Sequence, residues 1–387
     1  MAEVKTQICP LPWTHLFVLP DGNILPCCAW DFGDSFGNLN FASADKILNG
    51  KKYQKLRNDL SSGIIPKSCQ QCYKFDKDGI SSYKQRSTLL LTPILDSIAF
   101  DKSIVDPSDT RFLDIRFSNK CNLQCVMCNA DASSAIHFAN TGNRKITSFL
   151  NSNSSVMSFL DNVPEPILIN FAGGEPLIMP EHYQTLDYYI DRGIADRISL
   201  KYNTNLTTLS WGGKSLSKYW DKFKDVTVGI SLDHFGKRLE YIRFPINAAS
   251  VEENLTKIKS FERTTCFVAV SVSVFNVFDL VQIYDWYTSR GLKVIMNPVY
   301  DPLDLSIRSL PHEIKESLVL KYKDLQFCDR IVSILKSSDH FSNPNFANDF
   351  NAKISFIDTQ RKHKFADVFT TSFEWLKSSV QVSHLGI

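Results

Sequence analysis

"CNLQCVMC", residues 121–128, places Cys121, Cys125 and Cys128 in a C-x3-C-x2-C spacing. A compact loop of that spacing brings three sulfurs to three corners of one iron–sulfur cube and leaves a fourth iron without a protein ligand. An open metal position is what catalysis asks for, as catalytic zinc sites show. Two plainer readings stand beside it: a structural zinc site short of one ligand, and buried cysteines that cluster by chance.

The neighbouring sequence bears on that choice. Short apolar runs, "RFLDIRF" (111–117), "PILINFAG" (166–173), "RISLKYNT" (197–204), "DVTVGISLD" (225–233), "CFVAVSVSV" (266–274) and "LKVIMNPV" (292–299), read as strands. Between them "EHYQTLDYYIDRGI" (181–194), "EENLTKIKSFER" (252–263) and "VFDLVQIYDWYTSRG" (277–291) read as helices. Strands alternating with helices describe βα units on a parallel sheet. Six such units are too few for the usual eight-stranded barrel, so the expected fold is α/β, a partial (β/α)6 TIM-type barrel. The cysteine loop follows its first strand, at the barrel end where chemistry sits. Beyond Asp304 the stretches 312–338 and 355–376 are expected to be helical, and "TSFLNSNSSVMS" (147–158) to be a polar loop.

The chain has 387 residues, ten cysteines and a net charge of +2. The near-balanced charge gives no nucleic-acid footprint, and no apolar run is long enough to span a bilayer. The opening "MAEVKTQICP" lacks the apolar core of a secretion signal. The expected compartment is the cytoplasm, where clustered cysteines serve metals rather than disulfides. The first ~105 residues hold a second set: Cys9 and Cys27 flank a turn at "DGN", and Cys69 and Cys72 form a C-x-x-C. Four such thiolates suit an iron–sulfur cluster or a zinc ribbon equally. Cys28 abuts Cys27 and could replace it, whereas Cys266 and Cys328 read as small buried hydrophobes. "DKSIVDPSDT" (101–110) reads as a linker. The resulting divisions are 1–105, 106–303 and 304–387.

In order and strand placement, residues 111–300 resemble the radical S-adenosylmethionine (radical SAM) superfamily. Besides the three-cysteine loop, "AGGEP" (172–176) resembles its GGE motif, and "YNTN" (202–205), "SLD" (231–233), "EYIR" (240–243), "SVFN" (273–276) and "IMNPV" (295–299) fall at its cofactor-contact positions. The resemblance implies a 4Fe–4S cluster on Cys121, Cys125 and Cys128 whose open iron binds S-adenosylmethionine (SAM). Reduction would then cleave SAM to methionine and a 5′-deoxyadenosyl radical that abstracts hydrogen. It implies SAM contacts from Gly173, Gly174, Glu175, Asn203 or Asn205, Ser231, Asp233, Arg243, Asn276 and Val299. Arg243 suits the SAM carboxylate because a guanidinium fork matches that group. Met127 stands where many members carry an aromatic residue.

The segment 9–28 is similar to the entrance of the SPASM and twitch domains, which carry auxiliary iron–sulfur clusters, although those domains usually follow the barrel. That similarity implies an auxiliary 4Fe–4S cluster on Cys9, Cys27, Cys69 and Cys72, in a twitch rather than a two-cluster arrangement. The expected activity is hydrogen abstraction from a peptide, protein or small-molecule substrate, with net oxidation or cross-linking. An electron donor such as flavodoxin or ferredoxin is implied, with no nucleic-acid or membrane partner. Eight residues precede Cys9, so no separate leader-binding domain is expected ahead of it. The alternative is a non-catalytic iron–sulfur or zinc protein for electron transfer or scaffolding. The aromatics of 284–287, His15 and His137 are expected to be structural, and "DTQRKHK" (358–364) a solvated charged face.

Overall fold

The computed structural model describes residues 8–77, 81–150, 156–338, 341–343 and 345–369. The strands are β1 His15–Val18, β2 Asn23–Leu25, β3 Gly37–Asn38, β4 Phe112–Ile115, β5 Leu168–Phe171, β6 Ser199–Thr204, β7 Ser210–Trp211, β8 Lys214–Ser215, β9 Asp225–Ser231, β10 Thr264–Val272 and β11 Lys293–Pro298. All six strands expected from the apolar runs are present. The main sheet has the order β11-β10-β9-β6-β5-β4-β1-β2-β3. It is mostly parallel, the α/β arrangement of a partial TIM-type barrel, with a helical C-terminal region. No helix among the described residues is long and apolar enough to cross a membrane.

The chain divides into two compact units, one of residues 1–120, 146–202 and 218–227, the other of 121–145, 203–217 and 228–387. In the first unit β4, β5 and β6 run parallel, pairing Leu113 with Ile169 and Ile169 with Leu200. These three are fully buried, as are Ile115, Phe171 and Tyr202 on the same face. Each such side chain contributes about 1.5–3 kcal/mol on leaving water. Side chains alternate across a strand, so the opposite face carries the register row Asp114, Asn170 and Lys201.

The cysteine-rich segment adds to this sheet a feature its Pro/Gly turns concealed. β1, all four residues buried, pairs parallel with β4 from His15↔Phe112 to Val18↔Ile115. It then turns at "DGN" into antiparallel β2, with Gly22 at φ +87°, a value glycine adopts at no steric cost. Arg57, on helix Lys51–Ser61, is fully buried and donates to the carbonyls of Pro12, Leu48 and Ser103. The stretch read as a linker is therefore no free tether. Ser103 is held by Arg57, Lys102 accepts from the Trp13 indole, and Val105 is bonded twice to Asn49.

In the second unit β10 and β11 pair in parallel from Phe267↔Lys293 to Val272↔Pro298. Helix Leu280–Thr288 lies between them in sequence. The stretch 312–338 forms two helices, His312–Tyr322 and Asp329–Ser337, because Leu325 takes an extended backbone and lets both bury their apolar sides. The last helical stretch begins earlier than its sequence suggests, at Phe346–Gln360, with a short turn at Phe365–Val368. Residues 370–376 of that expectation lie outside the described residues, as do 151–155 of the expected polar loop; Val156–Leu160, at that loop's end, is helical.

Candidate active site

The cysteine loop is held by backbone bonds to the segment that carries Arg243. Gln124 N–H donates to the Phe244 carbonyl at 2.6 Å and Val126 N–H to that of Ile242 at 2.9 Å. Cys125 thus lies between two fixed peptides, opposite Arg243. The other end of the loop is tied by Cys121 N–H to the Ser134 hydroxyl at 3.2 Å, while Leu123 N–H reaches the Cys121 sulfur at 3.4 Å. Asn122 links to Thr207 and accepts from Asn205, so the asparagine of "YNTN" that engages the loop is Asn205.

Arg243 Nη1 donates to the Cys125 sulfur at 3.6 Å, and its Nε stands 2.7 Å from Asp233 Oδ2. The latter contact is an ion pair outside hydrogen-bond alignment. Burial opposes the Arg243 charge, but Asp233 and the nearby sulfurs keep its affinity for a proton raised. Asp233, fully buried, also accepts from Ser271 N–H at 2.7 Å. The side chain of Asn276 donates to the carbonyls of Asp233 and Ser271 and accepts from Ser273 N–H. This asparagine joins the ends of β9 and β10. Val299 N–H extends the β10–β11 pairing through the Val272 carbonyl. Ser231 is half-buried at the end of β9, and Asn203 is exposed, 3.2 Å from where a Cβ on Gly229 would stand.

Cys128 senses the other two thiols of the loop. Burial pushes Cys128 up to about 12, and the charges of Cys125 and Cys121 add to it. Cys125 is raised by burial and pulled back by Arg243 and Arg361. Thiols that resist ionisation through burial and mutual repulsion suit a cationic metal centre, which binds them as thiolates. Among the described residues no three His, Cys, Asp or Glu side chains are gathered closely enough for a single ion.

In the first unit, Gly174 explains itself by packing. A Cβ there would lie 2.1 Å from the Lys120 carbonyl oxygen, and Gly173 has φ +110° with Ser118 O 3.0 Å from its Cβ position. Both glycines let this turn press against residues 118–120, a use that needs no ligand. Glu175, buried, accepts from Leu177 N–H at 3.1 Å.

The N-terminal thiols form a second set. Burial pushes Cys9 up to about 12, and Cys69 and Cys72 add their charge. Cys27 is raised well above its usual range by burial, then by Cys9, Cys28 and Cys69. Cys28 faces elsewhere: after burial, its main influences are Asp114 and a hydrogen bond with Tyr83. The inner-face residue Asp114 is buried and accepts from Arg116 and Asn170. Its signal in the sequence is the charge that interrupts the apolar "FLDI".

Arg361 was hidden in a charged run. Its Nη2 donates to the Gln124 carbonyl at 2.5 Å and its guanidinium lies 5.0 Å from the centroid of Phe244. Asp358 accepts from the Tyr241 hydroxyl and from Phe365 N–H. The reading of 358–364 as a solvated face is therefore corrected at both residues: Tyr241 and Phe365 hold Asp358, and Gln124 and Phe244 hold Arg361. The structural readings elsewhere hold. Tyr287 donates to the His234 carbonyl, Trp286 stacks on Phe235, and His15 is buried against Pro26 and Phe112.

Two sets of partly buried thiols are the ligand pattern of a metal-cluster protein. Comparison narrows the class. Residues 115–287 match the model of the radical SAM superfamily, and residues 9–73 that of SPASM, an iron–sulfur cluster-binding domain. The chain thus carries a radical SAM domain over 115–287, preceded by a SPASM iron–sulfur cluster-binding domain over 9–73. Those domains carry a SAM-binding 4Fe–4S cluster and auxiliary iron–sulfur ligation.

A protein of Methanocaldococcus jannaschii described as "Uncharacterized protein MJ0907" is 30% identical over 126 residues, 32% of this chain and 38% of its own. The solved structure "Native anSMEcpe with bound AdoMet" is 16% identical with a TM-score of 0.42, covering 57% of this chain and 61% of that one. "Crystal structure of Streptococcus suis SuiB bound to precursor peptide SuiA" is 12% identical with a TM-score of 0.38, covering 75% and 63%. The chain thus spans less than two thirds of the length of each.

Proposed function

We propose that the enzyme reductively cleaves SAM and uses the resulting 5′-deoxyadenosyl radical to abstract hydrogen from a peptide, protein or small-molecule substrate. The observation that carries this reading is the set of three half-buried cysteines on the loop 121–128, one ligand short of a cube and backed by Arg243. In this proposal Cys121, Cys125 and Cys128 hold the cluster, which when bound supplies the electron and the open iron. Asp233 holds Arg243 against Cys125, and Asn276 holds Asp233 by locking the strand ends behind it. Ser231 lies at the free end of β9, where cofactor contacts are expected. The bonds from Gln124 and Val126 fix the loop, so the sulfurs are positioned before any cofactor arrives.

The N-terminal region 1–105 is assigned to the auxiliary cluster, with Cys9, Cys27, Cys69 and Cys72 as ligands. Four thiolates leave no iron open for substrate, which favours an electron-accepting role and net oxidation or cross-linking. Cys28, engaged with Tyr83, is left out of the ligand set. The barrel is assigned to 106–303 and the remaining extension to 304–387, of which the described residues, to 369, are mainly helical. The ten cysteines are free thiols, in keeping with a reducing cytoplasm and an electron carrier such as flavodoxin or ferredoxin as donor.

The test is anaerobic. Protein reconstituted with iron and sulfide, reduced with dithionite and given SAM is expected to form 5′-deoxyadenosine. The C125A variant is expected to form none. A wild-type protein with full iron that binds SAM but never yields 5′-deoxyadenosine, with or without peptide and metabolite pools, would contradict the proposal.

A further inference from the structure

We infer that Arg361 is a positioning residue for the cluster at Cys125, donating to its anionic sulfurs and stabilising its reduced form. The inference rests on the three-thiolate reading above. Arg361 follows helix Phe346–Gln360, more than two hundred residues beyond the loop it meets. It is held at two points, the Gln124 carbonyl and the Phe244 ring, which are the residues on either side of the backbone pairing that fixes Cys125. Its remaining donors, Nε and Nη1, are buried and have no hydrogen-bond partner among the described residues. A buried donor on a charged group left without an acceptor is costly, so such an arrangement calls for an anion.

Charge bookkeeping points to the same ligand. Two cations act on Cys125, Arg243 and Arg361, and one anion, Asp233. Asp233 faces Arg243 at 2.7 Å and neutralises it. Arg361 is the cation left over, and the groups that support its charge are Cys125 and, less strongly, Tyr241. Reduction adds an electron to the cluster without moving the protein. A fixed cation and N–H donors to sulfur favour that added charge and raise the reduction potential.

The experiment uses the full chain, reconstituted anaerobically, without SAM, in a redox titration followed by electron paramagnetic resonance. R361Q is expected to hold its full iron and to titrate at a lower loop-cluster potential than wild type. The N-terminal cluster, an internal control, is expected to keep its potential. R361K, which restores the charge without the fork, is expected to recover part of the shift. A loop cluster that forms in R361Q and titrates with wild type would overturn the inference, also if SAM affinity measured by calorimetry had fallen, since the donors would then serve SAM. Loss of the loop cluster in both R361Q and R361K, with the N-terminal cluster retained, would make Arg361 a structural residue and overturn it as well. If the wild-type loop forms no cluster at all, the three-thiolate reading fails first, and this inference with it.

Discussion

The loop thiols and the N-terminal thiols are both partly buried, yet they are surrounded by opposite chemistry. Cys125 has two guanidiniums beside it, and they pull its raised ionisation point back down. Cys9 is raised by burial and then by Cys69 and Cys72, with Lys84 a minor relief, and Cys27 by burial and then by Cys9, Cys28 and Cys69. Tyr53 and Tyr73, near that set, are themselves pushed up by burial, with the cysteines adding to it. The difference teaches that the chain supplies charge compensation at one site and leaves it to the metal at the other.

The largest expected effect separates the two sites outright. C125A should cut iron from about eight to about four per chain, since each cube holds four, and abolish 5′-deoxyadenosine. C69A should lower iron by a similar amount yet leave SAM cleavage measurable. If C69A also lost all cleavage while its loop cluster persisted, the independence of the two sites would be wrong.

D233N tests the compensation at the loop. It leaves Arg243 buried without its counter-charge, and unfolding in urea should show a loss of about 3–5 kcal/mol, the usual cost of breaking a buried pair. A change below about 1 kcal/mol would mean water reaches the pair, as at exposed pairs. G174A should cost ~3 kcal/mol in the same assay, because its Cβ meets the Lys120 carbonyl rather than a movable side chain. C28A should leave N-terminal iron unchanged; iron lost there would exchange the roles of Cys27 and Cys28. Smallest of all, K52A removes a half-exposed pair with Asp34 and should shift stability by less than about 1 kcal/mol.

The barrel was legible in the sequence because its strands are short, β-branched runs bounded by turns, and each appears where the pattern places it. Cys121, Cys125 and Cys128 were legible for the same reason: local spacing carries the information. Long-range partners were not. β1 pairs with β4 across nearly a hundred residues, and its three apolar residues, Leu16, Phe17 and Val18, look like any turn-flanking hydrophobes. Arg361 sits in a run of charges that gives no hint that Gln124 and Phe244 hold it against the cysteine loop. Asn276 and Gly174 were legible as special positions. Their observed contacts, however, are with backbone, which no spacing rule distinguishes from ligand contact.

The account's central claim is that this chain holds two separate clusters on separate cysteine sets, one of them open. The measurement that tests it most directly is iron content with electron paramagnetic resonance on three proteins: wild type, the loop variant C121A/C125A/C128A, and the N-terminal variant C9A/C69A/C72A. About eight, four and four irons are predicted, as two four-iron cubes require. The signals of wild type and of the N-terminal variant should change when SAM is added, and that of the loop variant should not. Equal iron in wild type and the loop variant, or a SAM-sensitive signal that survives loss of the loop cysteines, would contradict the account.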